Sequence, residues 1–175
     1  LRALGVIRRG FRQNVDWIAA RLVERYGIPA RPIWRTLLGT EYEHALQILI
    51  EADACFDSAR SHWLSLQDSF NDILIRRLFV YLSSQGMPGH AKTKSKDGQL
   101  IDFGSLLQKG APFDKTYPEE AALLRYVHER RNQLPGSHPY DKKGGTKNRF
   151  LKKTEQQPLV AKLKQIYEKI AMIVK

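Results

Sequence analysis

A chain of 175 residues, 42% of them hydrophobic, is long enough to bury one core and too apolar to remain disordered. Its one cysteine, Cys55, excludes an internal disulfide and a thiolate metal cluster, and charge breaks every apolar stretch too often for a membrane-spanning helix. A formal net charge of +11 favours a polyanionic partner. One cysteine, placed in an apolar run, fits a core position and a reducing, cytoplasmic setting. The sequence opens on Leu1 rather than Met and carries no secretory signal, as expected of a piece of a larger protein.

In chain order, residues 12–26 read as a helix that Gly27 and Pro29 stop. Residues 27–39, with Pro29, Pro32 and Gly39, read as a turn-rich connector holding one helical turn around Trp34. Thr40 and Glu43 have capping-box spacing and predict a helix start. Beyond them Ala45, Leu49, Ala52, Phe56, Ala59, Trp63, Leu66, Phe70 and Ile73 form a seam at helical spacing. The seam predicts one long helix or two that meet near Ser65–Ser69, where polar residues thicken. Residues 90–115 read as a loop with a turn at Asp97-Gly98 and a short hairpin or helical stretch near Leu106.

A second capping box, Thr116 to Glu119 with Pro118 in the first turn, opens a helix expected to run to about Leu134, where Pro135 and Gly136 end it. The last helix is expected to begin at Thr154–Gln157, with its seam at Leu159, Leu163, Ile166, Ile170 and Ile173. No repeat or parallel-strand pattern is visible. The expected fold class is therefore all-α: an N-terminal helical arm over 1–39 and a helical domain over 40–175, with a basic loop before the last helix.

Positive charge concentrates in that loop and helix. From Asp141 to Lys175 ten basic residues face three acidic ones, a net of +7. Lys142, Lys143, Lys147, Arg149, Lys152 and Lys153 are the candidate contacts to a phosphate backbone. Lys142-Lys143-Gly144-Gly145-Thr146-Lys147 is not a P-loop, because the glycine–lysine spacing and the preceding strand are missing.

The segment with most chemistry is His128 to Tyr140. Leu124, Val127, Arg131 and Leu134 share one helical stripe, and an unpaired guanidinium on an apolar stripe is costly. Arg131 should therefore reach an acid or line a groove. Pro135-Gly136 turns the chain so that His138 can fold back towards it. Such a pair suits RNA cleavage: imidazole moves protons near neutral pH, and a guanidinium fork matches the charge of a phosphorane.

Arg131-Asn132 followed by His138 resembles the motif of the HEPN superfamily, in which a histidine lies four to six residues beyond an arginine. The resemblance covers about residues 41–175. It implies a helical bundle that dimerises and cuts RNA without metal or other cofactor, leaving a 2′,3′-cyclic phosphate. Arg131 and His138 would be catalytic and Asn132 would orient them. Tyr140 fits the His-x-Tyr extension of HEPN toxins, whose tyrosine a partner nucleotidyltransferase antitoxin can modify. The stretch from Glu129 to Lys153 is also similar to C-terminal extensions of bacterial reverse transcriptases in phage defence, some of which carry HEPN domains. The alternative is a non-catalytic HEPN-like domain that binds nucleic acid or a partner protein.

Plainer roles compete at each position. Arg131 could pair with a helix carboxylate and His138 could cap a turn. His128 could assist Arg131, or face solvent or stack. His44, His62 and His90 have no ligand spacing and read as incidental; Trp17, Trp34 and Trp63 read as core. Glu119 and Glu120 open a helix, where the dipole favours acids.

Overall fold

A computed structural model describes residues 15–28, 32–57, 60–133 and 153–174. Among them the fold is an all-α bundle. Helix α1 covers 15–26. It is followed by α2 (Pro32–Leu38), a 3-10 turn (Gly39–Glu41), α3 (Tyr42–Cys55), α4 (Arg60–Ser84), α5 (Phe103–Leu106), α6 (Pro112–Thr116), α7 (Pro118–Asn132) and α8 (Lys153–Ile173). No helix among the described residues is long and apolar enough to cross a membrane.

The connector expected before residue 40 holds a full helix. Pro32 opens α2 at the position where its missing N–H costs nothing, and Trp34, Leu37 and Leu38 turn into the core. Arg77 of α4 closes its far end, donating from Nε to the Leu38 carbonyl at 2.7 Å. Gly39 beside it has φ +56°, and a Cβ there would overlap the Arg77 guanidinium. The capping box at Thr40 does not form. Glu41 precedes α3 in helical conformation without a side-chain cap, and the Tyr42 N–H bonds to the Gly39 carbonyl, so the 3-10 turn runs straight into α3.

The seam from Ala45 to Phe70 packs α3 against α4 as a helical hairpin, with Ala45, Leu49, Ala52, Trp63 and Phe70 buried. α3 ends at Cys55 and α4 begins at Arg60, so the serines at 65 and 69 lie inside α4 rather than between two helices. Phe56 turns inward edge-on to Trp63, 5.9 Å between ring centres, and its carbonyl accepts from Gln156 Nε2 at 2.7 Å. Ser69 stays helical by bonding its hydroxyl back to the Ser65 carbonyl at 3.0 Å.

A polar ladder runs through the core on one face of α4. Trp63 Nε1 donates to the Tyr26 hydroxyl at 3.1 Å. One turn on, Gln67 Nε2 donates to the Tyr167 hydroxyl, which itself donates to Asn71 Oδ1 at 2.5 Å. Burial pushes the Tyr26 hydroxyl up to about 12 and Tyr167 well above its usual range, so both stay neutral. Leu22, Tyr26, Ile28 and Trp34 share one core with α3, α4, α7 and α8.

Residues 90–115 combine both forms expected of them. Ser95 N donates to the Gln99 carbonyl at 2.8 Å around the turn at Gly98, and Lys94 bridges Leu100. Asp102 then caps α5 by accepting from Ser105 N at 3.0 Å. The second capping box is also absent. Thr116 is the last residue of α6, where its hydroxyl donates to the Pro112 carbonyl at 2.9 Å, and Tyr117 rather than Thr116 precedes α7, without a side-chain cap. Glu120 is buried and paired with Lys169 of α8 rather than merely facing the helix dipole. Leu159, Leu163, Ile166 and Ile170 bury the seam of α8.

Two single-residue expectations change. Trp17 is 59% exposed, with the Arg21 guanidinium 4.8 Å from its ring centre, whereas Trp34 and Trp63 are core. Cys55 is a half-buried free thiol at the core's edge.

Candidate functional site

Helix α7 carries the arginine stripe onto α4. Leu124 and Val127 are buried, and one turn beyond Val127 the stripe emerges at Arg131, whose side chain is 38% exposed. Arg130 and Arg131 occupy the last turn, where the helix dipole favours cations. Arg131 Nη1 donates to Asn132 Oδ1 at 3.0 Å, and its Nε lies 3.9 Å from Asp68 Oδ2. Arg130 reaches across to α8, 3.6 Å from Glu155 Oε2. Arg131 thus reaches a carboxylate from α4 while part of its guanidinium stays at the surface.

Asp68 organises this end of the bundle. Its side chain is only 8% exposed, and both oxygens face His128 Nδ1, at 3.0 and 3.2 Å. A carboxylate accepts only, so Nδ1 carries a proton and donates. His128 sits three residues before Arg131, which places both on one helix face. Phe103 of α5 stands edge-on to the imidazole, 5.3 Å between ring centres.

The other ring nitrogen looks towards α5. A Cβ on Gly104 would lie 3.3 Å from His128 Nε2 and 3.1 Å from Asp102 Oδ1. Glycine keeps that approach clear. Asp102 is turned onto the Ser105 N–H and hydroxyl, bonds that hold its carboxyl below the ordinary range. The Asp68 hydrogen bond raises the His128 pKa above the ordinary imidazole value, against the lowering effects of burial and of Arg131. At neutral pH the imidazole is therefore more protonated than a free histidine.

Of the residues singled out from sequence, Arg131 and Asn132 lie in this cluster and touch each other. His138, Tyr140, Lys142, Lys143, Lys147, Arg149 and Lys152 lie outside the described residues, as does the Lys153 side chain, although Lys153 opens α8. His90, read as incidental, is buried edge-on to Phe79 with Nδ1 3.2 Å from the Pro88 carbonyl. Sequence reasoning missed Asp68. Its signal was present: Leu64, Asp68, Asn71 and Ile75 share one buried stripe of α4, and an acid on such a stripe requires a partner as Arg131 did.

Two surface grooves lie away from this cluster. One, about 660 Å³, runs between α1 and α8 past Trp17, Arg21 and Lys164; the other, about 620 Å³, runs between α7 and α8 past Glu119, Tyr126 and Lys162. In the first, Arg21 and Arg25 share the carboxylate of Asp53, at 3.0 and 2.6 Å, so one carboxylate answers one of their two positive charges. Among the described residues no three His, Cys, Asp or Glu side chains gather as metal ligands would.

No family model matches the chain, and no curated protein or solved structure is significantly similar to it.

Proposed function

We propose that this chain is a HEPN-type helical domain that cuts RNA by attack of a ribose 2′-hydroxyl on the adjacent phosphate. Arg131 and His138 carry the chemistry, in place of a bound metal. The observation behind this reading is the placement of Arg131, half-exposed at the end of α7 and tethered by Asn132 and Asp68. Tethering fixes the fork before substrate arrives, and preorganised donors stabilise developing phosphorane charge better than mobile ones. The Arg131-Asn132…His138 resemblance supplies the histidine. The active form is a homodimer in phage defence or a toxin–antitoxin pair. There Tyr140 is the target of a nucleotidyltransferase antitoxin, and the lysines of residues 142–153 hold the RNA backbone.

A second reading is favoured by one distance. Arg131 lies within 3.9 Å of a buried acid, as it would in a non-catalytic domain that binds nucleic acid or a partner protein, for example as an appendage of a reverse transcriptase. Incubating the purified chain with end-labelled RNA in EDTA separates the two. The cleavage reading expects products ending in a 2′,3′-cyclic phosphate, and a loss of about 10²- to 10⁴-fold in Arg131→Ala and His138→Ala with helicity retained. A wild-type dimer that cuts no RNA, with Arg131→Ala reading out only as lost stability, selects the binding domain.

A further inference from the structure

We propose that the groove between α1 and α8 binds single-stranded nucleic acid, with one base stacked on Trp17 and a neighbouring phosphate held by Arg21 and Lys164. Trp17, Arg21, Arg25, Gln157 and Lys164 line one space of about 660 Å³ over an apolar floor at Val160. Small-ligand sites span about 300–1,000 Å³, so a nucleotide is the right size of guest. The groove shares no lining residue with the Arg131 cluster, and the inference does not depend on cleavage there.

The indole supplies the stacking surface. Trp17 is 59% exposed, whereas Trp34 and Trp63 are sealed in the core. The Arg21 guanidinium stands 4.8 Å from its ring centre, a cation–π contact that holds the ring at the rim of the groove. An aromatic platform beside a cationic track is how proteins hold single strands without reading their sequence. A duplex offers less, because its bases are already stacked on one another. On the α8 side the Gln157 amide both donates and accepts, so it suits any base edge.

Charge selects the guest. Asp53 answers one of the two arginines, and Lys164 Nζ donates to the neutral Glu24 carbonyl at 3.1 Å, which leaves its charge uncancelled. The Glu24 carboxylate also lines the groove. Three cations against two acids leave one net positive charge. The groove between α7 and α8 differs: there Glu119 and Glu120 balance Lys162 and Lys169, and nothing draws a polyanion. An acidic peptide would meet the cations of the first groove but bring no planar group to the indole.

The test titrates the whole chain with a short oligothymidylate and reads tryptophan emission. This probe has no 2′-hydroxyl, so binding is measured apart from cleavage. Stacking should quench Trp17, and Trp17→Ala should abolish the quenching and weaken binding about 5- to 150-fold, with Trp17→Phe restoring most of the affinity. Arg21→Gln should reduce the slope of log affinity against log salt by about 0.7, and Glu24→Gln should tighten binding. Trp17→Ala binding as the wild type does, with helicity retained in both, overturns the inference. So does quenching of equal size by polyglutamate or by duplex DNA of the same length. Either result leaves the cleavage reading standing, and a chain that is quenched by oligothymidylate yet cuts no RNA sinks that reading alone.

Discussion

Replacing Tyr167 with phenylalanine removes one oxygen from the core and leaves the ring edge-on to Phe70, 5.3 Å between centres. That oxygen accepts from Gln67 Nε2 and donates to Asn71 Oδ1, so two amide groups on consecutive turns of α4 lose a partner together. Neither has a ready substitute: Gln67 and Asn71 are fully buried, and Gln67 Oε1 and Asn71 Nδ2 already lack one. Leaving a buried polar group unsatisfied costs about 1–3 kcal/mol. Direct pairing of the two amides one turn apart returns only about 0.2–0.5 kcal/mol. For two groups the expected loss is therefore about 1.5–5.5 kcal/mol, or about 3–22 °C in Tm for a chain of this size. Thermal and urea unfolding followed by far-ultraviolet circular dichroism measures it. A fall in Tm below about 2 °C would refute the claim that this hydroxyl holds α8 to α4.

Gly39→Ala combines a left-handed backbone with a clash against Arg77, so it should cost about 1–2 kcal/mol or more from the backbone alone, read as a lower urea midpoint; a neutral result contradicts the close approach. Asp68 also makes stability depend on pH. Its bond raises the folded-state pKa of His128, so the added stability is complete below the unfolded imidazole value of about 6.5 and is lost as pH rises through the folded value. Stability measured from pH 6 to 9 should fall across that window in the wild type and stay flatter in Asp68→Asn. A wild-type curve no steeper than the variant's would show that the pair is not coupled.

Periodicity made the larger elements legible because burial enforces it. The apolar seams of α3, α4 and α8 face the core as their spacing predicts. Boundaries were less legible, since they depend on partners distant in sequence. Gln156 terminates α3 at Phe56, Arg77 terminates α2 at Leu38, and both threonines placed as caps are bypassed by neighbouring turns. The odd position of Arg131 on its stripe did signal a carboxylate partner. Naming Asp68 required matching two polar intrusions on two stripes, one on α4 and one on α7, and a single stripe read alone does not specify its partner. Nothing local to Gly104 marks it, because its significance lies in the imidazole that α7 brings beside it.

The three tryptophans divide the molecule optically. Trp34 and Trp63 are sealed in the core, while Trp17 stands in solvent on α1 beside a guanidinium. Emission from the first two should be blue-shifted and shielded from iodide. Emission from the third should be red-shifted and open to iodide, because its ring stands in solvent. One spectrum therefore separates the movement of α1 from the melting of the bundle beneath it, without an added label.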